Sequence, residues 1–260
     1  MPTSDLPTET YLHSTLLSEA GFRHAFLTRN GGSSQGVFSS LNFALGTGDS
    51  DEHVRENLER VGNTLGVKGN HIYFMSQVHG VDYHVAHSSD VQDDVQKKQG
   101  DIVLSKDPDV AAAIRTADCV PVLLACRVTG WVAACHSGWQ GCVRGAVPAS
   151  VKALFSQGAE SLIAAIGPHI SKAAFEVDDD VAEQLLQASP DKTIVDRSQS
   201  KPHVDLRKMV RSQLLTAGLS DENIDDVYGC TALEPERFFS FRRDKNPSGR
   251  MLSLIAPRRT

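Results

Sequence analysis

Two histidines and a cysteine have the clearest chemical potential in the sequence, because each stands at the end of a β-like segment. His79 lies in the stretch QVHG, Cys119 follows Ala117 and Asp118 ahead of an apolar run, and His136 lies in CHSGW. Catalytic zinc sites commonly combine three Cys, His or carboxylate ligands and leave a fourth position open. Since the ends of neighbouring strands converge in space, these three side chains are candidate ligands of one metal ion.

The spacing of these residues leaves two other interpretations open. The intervals between His79, Cys119 and His136 match no compact zinc-finger pattern. Cys119 would serve equally well as a thiolate nucleophile with His136 as its base. It would also serve as a small buried hydrophobe beside histidines whose polar atoms are satisfied. Periodicity does not separate a metal-bound thiolate from one that attacks a substrate.

Other polar clusters suggest a site for an anion. Arg29 begins the turn RNGG, Asn42 ends the stretch SLN, and Arg243 follows the aromatic run FFSFR. Guanidinium groups recognise phosphate through paired N–H donors, although turns and surface arginines explain the same patterns. Asp118 is the carboxylate of most interest because it adjoins Cys119.

The composition of the chain limits its function class. The 260 residues are 40% hydrophobic and 22% charged, as in ordinary globular proteins. The net charge is −6 and no basic face is evident, which argues against nucleic acid or an anionic membrane as partner. The N-terminus lacks the pattern of a secretory signal, and the longest apolar run, 120–126, is too short to span a bilayer. Five cysteines without a CxxC pair indicate reduced thiols, so we expect a cytoplasmic protein.

Hydrophobic periodicity predicts the elements that must position these residues. Helical spacing predicts helices over 51–65, 140–156 with a kink or late start at Pro148, 179–187 and 205–217. Apolar runs predict strands over 23–28, 71–75, 81–86, 102–104, 111–115, 120–127, 131–135, 162–166 and 251–255. Neighbouring strands that are apolar throughout predict a sheet covered on both faces. We therefore expect a flexible tail over 1–10, one mixed α and β domain over 11–260, and a polar surface loop over 88–100.

Taken in order, the motifs resemble the YfiH-type laccase-domain family, also called multicopper polyphenol oxidases and, more recently, purine nucleoside phosphorylases. The motifs are TRNGG, SLN, QVHG, TADCVPVLL, AACHSGWQG, IGPHIS, FEV, DL and FFSFRRD…SGR. The resemblance implies an α+β fold, a single-domain four-layer α/β/β/α sandwich with mixed sheets. It also implies a metal bound by His79, Cys119 and His136, for which we expect Zn²⁺, with Cu²⁺ as an alternative.

The resemblance further implies that the partners are purine nucleosides and phosphate. The implied reactions are phosphorolysis of adenosine, inosine and methylthioadenosine, and hydrolytic deamination of adenosine. On this basis Arg29, Asn42 and Arg243 are the expected phosphate donors and Asp118 the expected proton carrier. The chain departs from the family at Gln140, where Arg is usual, and this weakens the case for phosphate at that turn. His169 stands where the family often has Cys.

Three other functions compete with this interpretation. A multicopper oxidase needs many histidines in HxH pairs, and the ten histidines here form none, which disfavours a polyphenol oxidase. An amidase that edits peptidoglycan precursors would use Cys119 as nucleophile and His136 as base. A metal-stabilised binding protein would show no turnover. The sequence does not predict the oligomeric state.

Overall fold

The computed structural model describes residues 6–259, and its strands form two large sheets and one small ribbon. The strands are β1 Tyr11–Leu12, β2 Arg23–Leu27, β3 Ile72–Tyr73, β4 Tyr83–Val85, β5 Ile102–Ser105, β6 Ala111–Thr116, β7 Val120–Cys126, β8 Val132–Ser137, β9 Leu162–Ile166, β10 Val195–Asp196, β11 His203–Val204, β12 Ile224–Asp226 and β13 Met251–Ala256. The helices are α1 Thr15–Glu19, α2 Asp51–Leu65, α3 Gln92–Lys97, α4 Trp139–Arg144, α5 Ala146–Ser156, α6 Asp179–Ala188, α7 Leu206–Thr216 and α8 Phe241–Asp244.

Both large sheets mix parallel and antiparallel pairs. The first sheet has the strand order β1-β2-β13-β6-β3, and the second has the order β12-β9-β7-β8-β5-β4. In the second sheet the central pairs β7–β8, β7–β9 and β5–β8 are antiparallel, whereas β4–β5 and β9–β12 are parallel. The ribbon pairs β10 with β11. The predicted mixed sheets are confirmed.

Alternate residues of the central strands enter different layers, as the two-residue period of a strand requires. Ile114 of β6 and Leu123 of β7 belong to the buried cluster between the two sheets. Ala113, next to Ile114, belongs instead to the cluster that contains Leu58 of α2. Helix α2 therefore covers the outer face of the first sheet.

The outer face of the second sheet is covered in the same way. Val122 and Leu124 of β7 share a buried cluster with Leu154 of α5 and Leu214 of α7. The layers therefore run helix, sheet, sheet, helices, so the four-layer α/β/β/α sandwich predicted by the family resemblance is confirmed. Because both sheets are buried on both faces, strands such as β7 are apolar at every position.

Several local predictions differ from the structure. The segment 88–100 contains α3, because Val95 packs between the sheets and gives that short helix one apolar anchor. The predicted helix over 140–156 is two helices separated by Gly145, whose φ of 81° ends α4. Pro148 lies in the first turn of α5, where its missing N–H costs no hydrogen bond.

The predicted flexible tail covers residues 1–10, of which 1–5 lie outside the described residues. Leu6 is buried with the α2 cluster, and its backbone N–H donates to Thr64 Oγ1 at 2.9 Å. Thr8–Thr10 form a single 3₁₀ turn. Within the described residues, packing therefore already includes Leu6. None of the helices within residues 6–259 is long and apolar enough to cross a membrane.

Leu123→Ala tests the packing between the sheets. Leu123 is fully buried, so its removal should lower the free energy of unfolding by about 3 kcal/mol, through lost transfer energy and a residual cavity. Urea unfolding in the presence of a chelator measures the change. The control Val128→Ala, at a side chain with 68% exposure, should change it by less than about 0.5 kcal/mol. Equal effects of the two substitutions would contradict this layer assignment.

Candidate metal centre and its flanking cavities

The register of β7 and β8 brings Cys119 and His136 together. Cys119 immediately precedes β7, and His136 is the penultimate residue of β8. The two strands are antiparallel and pair Pro121 with His136 and Val120 with Ser137. The beginning of one strand therefore lies beside the end of the other, at one edge of the second sheet.

Asp101 connects this edge to the loop that carries His79. Its carboxylate accepts a hydrogen bond from His136 Nδ1 at 2.7 Å, and its own carbonyl accepts one from the backbone N–H of His136. The same carboxylate accepts the backbone N–H groups of Val78, His79 and Gly80 at 3.1, 3.0 and 2.7 Å. Asp101 is 1% exposed, so one buried carboxylate orients the His136 ring and fixes the QVHG loop.

Two further side chains hold the QVHG loop in place. Gln77 exchanges two 2.8 Å hydrogen bonds with the backbone of Arg115, and Arg144 Nη1 donates to the carbonyl of His79 at 2.7 Å. Both His79 and Asp118 have positive φ values, 57° and 91°. Such conformations are costly for residues other than glycine and occur often at functional sites.

The three predicted ligands form a cluster that suits a transition metal. One potential metal-ligand atom from each of His79, Cys119 and His136 lies within 4.8 Å of the other two. Because Asp101 binds Nδ1 of His136, Nε2 is the nitrogen left for a ligand. Nδ1 of His79 is buried and has no hydrogen-bond partner among the described residues. Two imidazoles and a thiolate are donors that zinc and copper both accept, so the residues fit the expected metal.

Charge coupling within the cluster affects the two histidines differently. Burial opposes a charge on His136, yet the Cys119 thiolate and the Asp101 carboxylate raise its pKa to about 9. Burial and the charge of His136 lower the pKa of His79. Burial would raise the pKa of Asp101, but the hydrogen bond from His136 and its charge bring it below the usual value. In the metal-free protein His136 therefore holds a proton that a metal ion has to displace.

The triad lies between two cavities that each contain two basic side chains, and the second has the larger aromatic wall. The arginine cavity, of about 370 Å³, contains all three triad residues and is otherwise lined by Ala44, Leu45, Thr47, Ser76, Gln77, Arg115, Ala117, Phe241 and Arg250. The aromatic cavity, of about 410 Å³, contains His79 and Cys119 and is otherwise lined by Ala117, Asp118, Trp139, Ile170, Phe175, Leu206, Phe241, Arg242 and Lys245. Cationic and aromatic walls thus meet at the candidate metal centre.

Asp118 lies at the aromatic cavity with both carboxylate oxygens engaged. One oxygen accepts from Thr231 Oγ1 and the other from the backbone N–H of Arg242, both at 2.6 Å. Its backbone carbonyl also accepts the N–H of Ile170 at 3.0 Å. The structure therefore fixes the carboxylate that the sequence singled out next to Cys119.

Arg29 and Arg243, the two arginines predicted to bind phosphate, hold loops through hydrogen bonds to other protein groups. Arg29 donates through Nε to the carbonyl of Ser39 at 2.9 Å and through Nη1 to that of Pro235 at 3.1 Å. Arg243 makes a two-pronged ion pair with Asp244, at 2.7 and 2.8 Å. Neither arginine lines the two cavities at the triad. Their role as phosphate donors stays a prediction, and the contacts described here do not support it.

Asn42 acts on the arginine cavity indirectly. Its Oδ1 accepts the backbone N–H groups of Ala44 and Arg250, at 2.9 and 2.8 Å, and its Nδ2 donates to Asp49 at 2.7 Å. The residue is fully buried. It therefore positions two lining residues, Ala44 and Arg250, instead of offering its own amide to a ligand.

Sequence reasoning missed Asp101, Arg115 and Arg250 as site residues. Arg115 is the one charge within the predicted strand 111–115, and an isolated charge in a doubly covered strand is a usable signal. Arg250 closes the SGR stretch, already part of the family resemblance. Asp101 gave no such signal, because its partners lie far away in the sequence.

The sequence of the chain is similar to that of known proteins. A family model described as multi-copper polyphenol oxidoreductase laccase matches residues 23–258. The chain belongs to this family. One relative, named purine nucleoside phosphorylase, from Bacteroides thetaiotaomicron, is 31% identical over 94% of both chains. The purine nucleoside phosphorylase YfiH of Escherichia coli K12 is 33% identical over 88% of this chain and 90% of its own.

A solved structure confirms the family fold. The crystal structure of YlmD from Geobacillus stearothermophilus aligns over 100% of both chains, with a TM-score of 0.89 and 30% identity. Within residues 6–259 one group of at least three His, Cys or acidic side chains is placed to hold a metal, and that group is the triad. A set of several copper centres would need more ligands than this laccase-family chain brings together there.

Gly138→Ala tests the packing of the triad. A Cβ at this position would lie 2.7 Å from both Cys119 Sγ and His79 Nδ1, so the ligand atoms would have to move apart. We expect zinc affinity to fall about 100-fold, at the upper end for disturbed ligand support. Competition with a chromophoric chelator measures this.

Gly141→Ala is the matched control for Gly138→Ala. A Cβ at Gly141 has no neighbour closer than 3.4 Å, so zinc affinity should stay at the wild-type value. Full zinc affinity in Gly138→Ala would show that the triad is not the metal site.

Zinc affinity should depend on pH through His136. Its pKa is raised from 6.5 to about 9 in the metal-free protein, so zinc competes with a proton throughout that interval. Apparent affinity should rise about tenfold per pH unit and level off above pH 9. Asp101→Asn removes one group that raises this pKa, and its plateau should begin at lower pH. A flat wild-type profile between pH 7 and 9 would contradict the proton assignment.

Proposed function

We propose that the chain is a zinc-dependent purine nucleoside phosphorylase that acts on adenosine, inosine and methylthioadenosine and also deaminates adenosine. The observation that supports this most directly is the position of the triad between an arginine cavity and an aromatic cavity. A nucleoside phosphorylase must bring an anion and an aromatic base to the same carbon. The names of the relatives point to the same activity.

In phosphorolysis an oxygen of phosphate forms a bond to C1′ while the bond from C1′ to the purine nitrogen breaks. The electron pair of that bond goes to the purine, which takes up a proton. Trp139, Phe175 and Phe241 offer apolar surfaces on which a purine can pack. We propose that Asp118, fixed at the wall of the same cavity, exchanges the proton with the base.

The proposed zinc ligands are His79, Cys119 and His136. A zinc ion held there supplies a positive charge and Lewis acidity next to both cavities. The role of Asp101 is to hold His136 in the tautomer that leaves Nε2 free. In deamination, water replaces the 6-amino group and ammonia leaves. The chain lacks the H-x-E…P-C-x-x-C pattern of cytidine-type deaminases, so this reaction would use the same triad.

The proposed location is the cytoplasm. All five cysteines are free thiols, and three of them, Cys126, Cys135 and Cys142, are fully buried. Free thiols are typical of reducing compartments.

Purine release from adenosine and inosine tests the proposal. Protein with a counted zinc content should release adenine and hypoxanthine only when phosphate is present. His79→Ala and Cys119→Ala should lower this rate about 100-fold or more, because charge stabilisation of several kcal/mol is lost. Ammonia release from adenosine without phosphate measures deamination separately. His84→Ala, at a partly buried histidine that pairs with Asp90 and lines neither cavity, is the matched control and should keep the wild-type rate.

The amidase alternative predicts a different behaviour of Cys119, which is partly exposed beside His136. A metal-bound thiolate should resist iodoacetamide until zinc is chelated, whereas a free nucleophile should react at once. Immediate alkylation of zinc-replete protein, together with no nucleoside turnover, would overturn the phosphorylase proposal and favour the amidase.

A further inference from the structure

The guanidinium of Arg115 lines the arginine cavity and has few hydrogen-bond acceptors among the described residues. Its Nε–H is buried without a hydrogen-bond partner among the described residues. Its two terminal nitrogens reach only the carbonyls of Phe43 and Met75, at 3.4 and 3.3 Å. The guanidinium lies over the ring of Phe74, 4.6 Å from its centre. Such a group, largely removed from water and short of acceptors, is costly unless a ligand completes it.

Arg250 adds a second positive charge to the same cavity. Its Nη1 donates to the carbonyls of Ser248 and Gly249 at 2.8 and 2.9 Å. Among residues 6–259, neither Arg250 nor Arg115 takes part in an ion pair with a carboxylate. Burial and the charge of Arg250 lower the pKa of Arg115 to about 10. The described residues therefore hold two like charges near each other without a carboxylate ion pair, and only the more distant charges of Cys119 and Asp118 act favourably on Arg250.

We propose that Arg115 and Arg250 form the phosphate subsite of the active site, an inference that rests on the proposed phosphorylase function. A phosphate dianion between them would relieve their repulsion and accept charge-assisted hydrogen bonds from both guanidinium groups. Asn42 is a positioning residue here, because it holds the backbone N–H of Arg250.

The subsite also determines which substrate occupies which cavity. Phosphate occupies the arginine cavity, the purine occupies the aromatic cavity, and the reacting carbon lies at their junction, beside Cys119. Arg29 and Arg243, in contrast, donate hydrogen bonds to protein oxygens and line neither cavity.

Steady-state kinetics of Arg115→Gln and Arg250→Gln tests this subsite. Each substitution should raise KM for inorganic phosphate about tenfold or more, the loss expected for one charge-assisted contact, with little change in KM for inosine. Arg250→Lys keeps the charge without the planar fork and should give an intermediate KM. Arg211→Gln, at an arginine paired with Asp221 and Asp226, is the matched control.

Binding of inorganic phosphate, measured by titration calorimetry on zinc-loaded protein, gives an independent readout. Circular dichroism and zinc content verify that each variant is folded, and the more accessible Arg250 provides a second test if Arg115→Gln unfolds. Wild-type phosphorolysis with unchanged phosphate KM in both variants would overturn the subsite and leave the function standing. Phosphate binding that requires both arginines, without any purine release, would support the subsite and overturn the function. A raised phosphate KM in Arg29→Gln or Arg243→Gln alone would also overturn it.

Discussion

The buried carboxylate of Asp101 is the interaction on which the rest of the site depends. It collects the N–H groups of Val78, His79 and Gly80 and the imidazole of His136, so a charge that would be costly in isolation is fully hydrogen-bonded. Since β5 begins directly after Asp101 and pairs with β8, the carboxylate is attached to the rigid sheet. The irregular QVHG loop is therefore held in a fixed position relative to the sheet.

The site is built from pieces that are distant in sequence but adjacent at one sheet edge. The loop before β4, the turn between β6 and β7, and the end of β8 each supply one triad residue. Their close approach requires a residue without a side chain at Gly138 and left-handed backbone at His79 and Asp118. Such conformations persist only where the surrounding contacts impose them. Asp101, Gln77 and Arg144 do so for the QVHG loop, and Thr231 and Arg242 hold Asp118.

Elements determined by interactions between residues close in sequence could be predicted, whereas those determined by distant residues could not. Helix α2 and strand β9 were predicted to the residue, because their apolar periodicity and the cap at Ser50 are local signals. The short strand β12 was missed, since its three residues form a strand only by pairing with β9. The triad was found through motif order rather than spacing. The contacts of Asp101 arise only after folding, so no local pattern reports them, whereas the lone charge of Arg115 in an apolar strand was a local signal that went unused.

The scattered origin of the triad gives a bound ion a mechanical role as well as a chemical one. All five cysteines are free, so no disulfide joins the segments around residues 79, 119 and 136. An ion that binds only the folded arrangement would act as a removable cross-link, worth about 4 kcal/mol when its free concentration exceeds Kd by about a thousandfold. The metal supply of the cell would then govern the lifetime of the protein together with its chemistry.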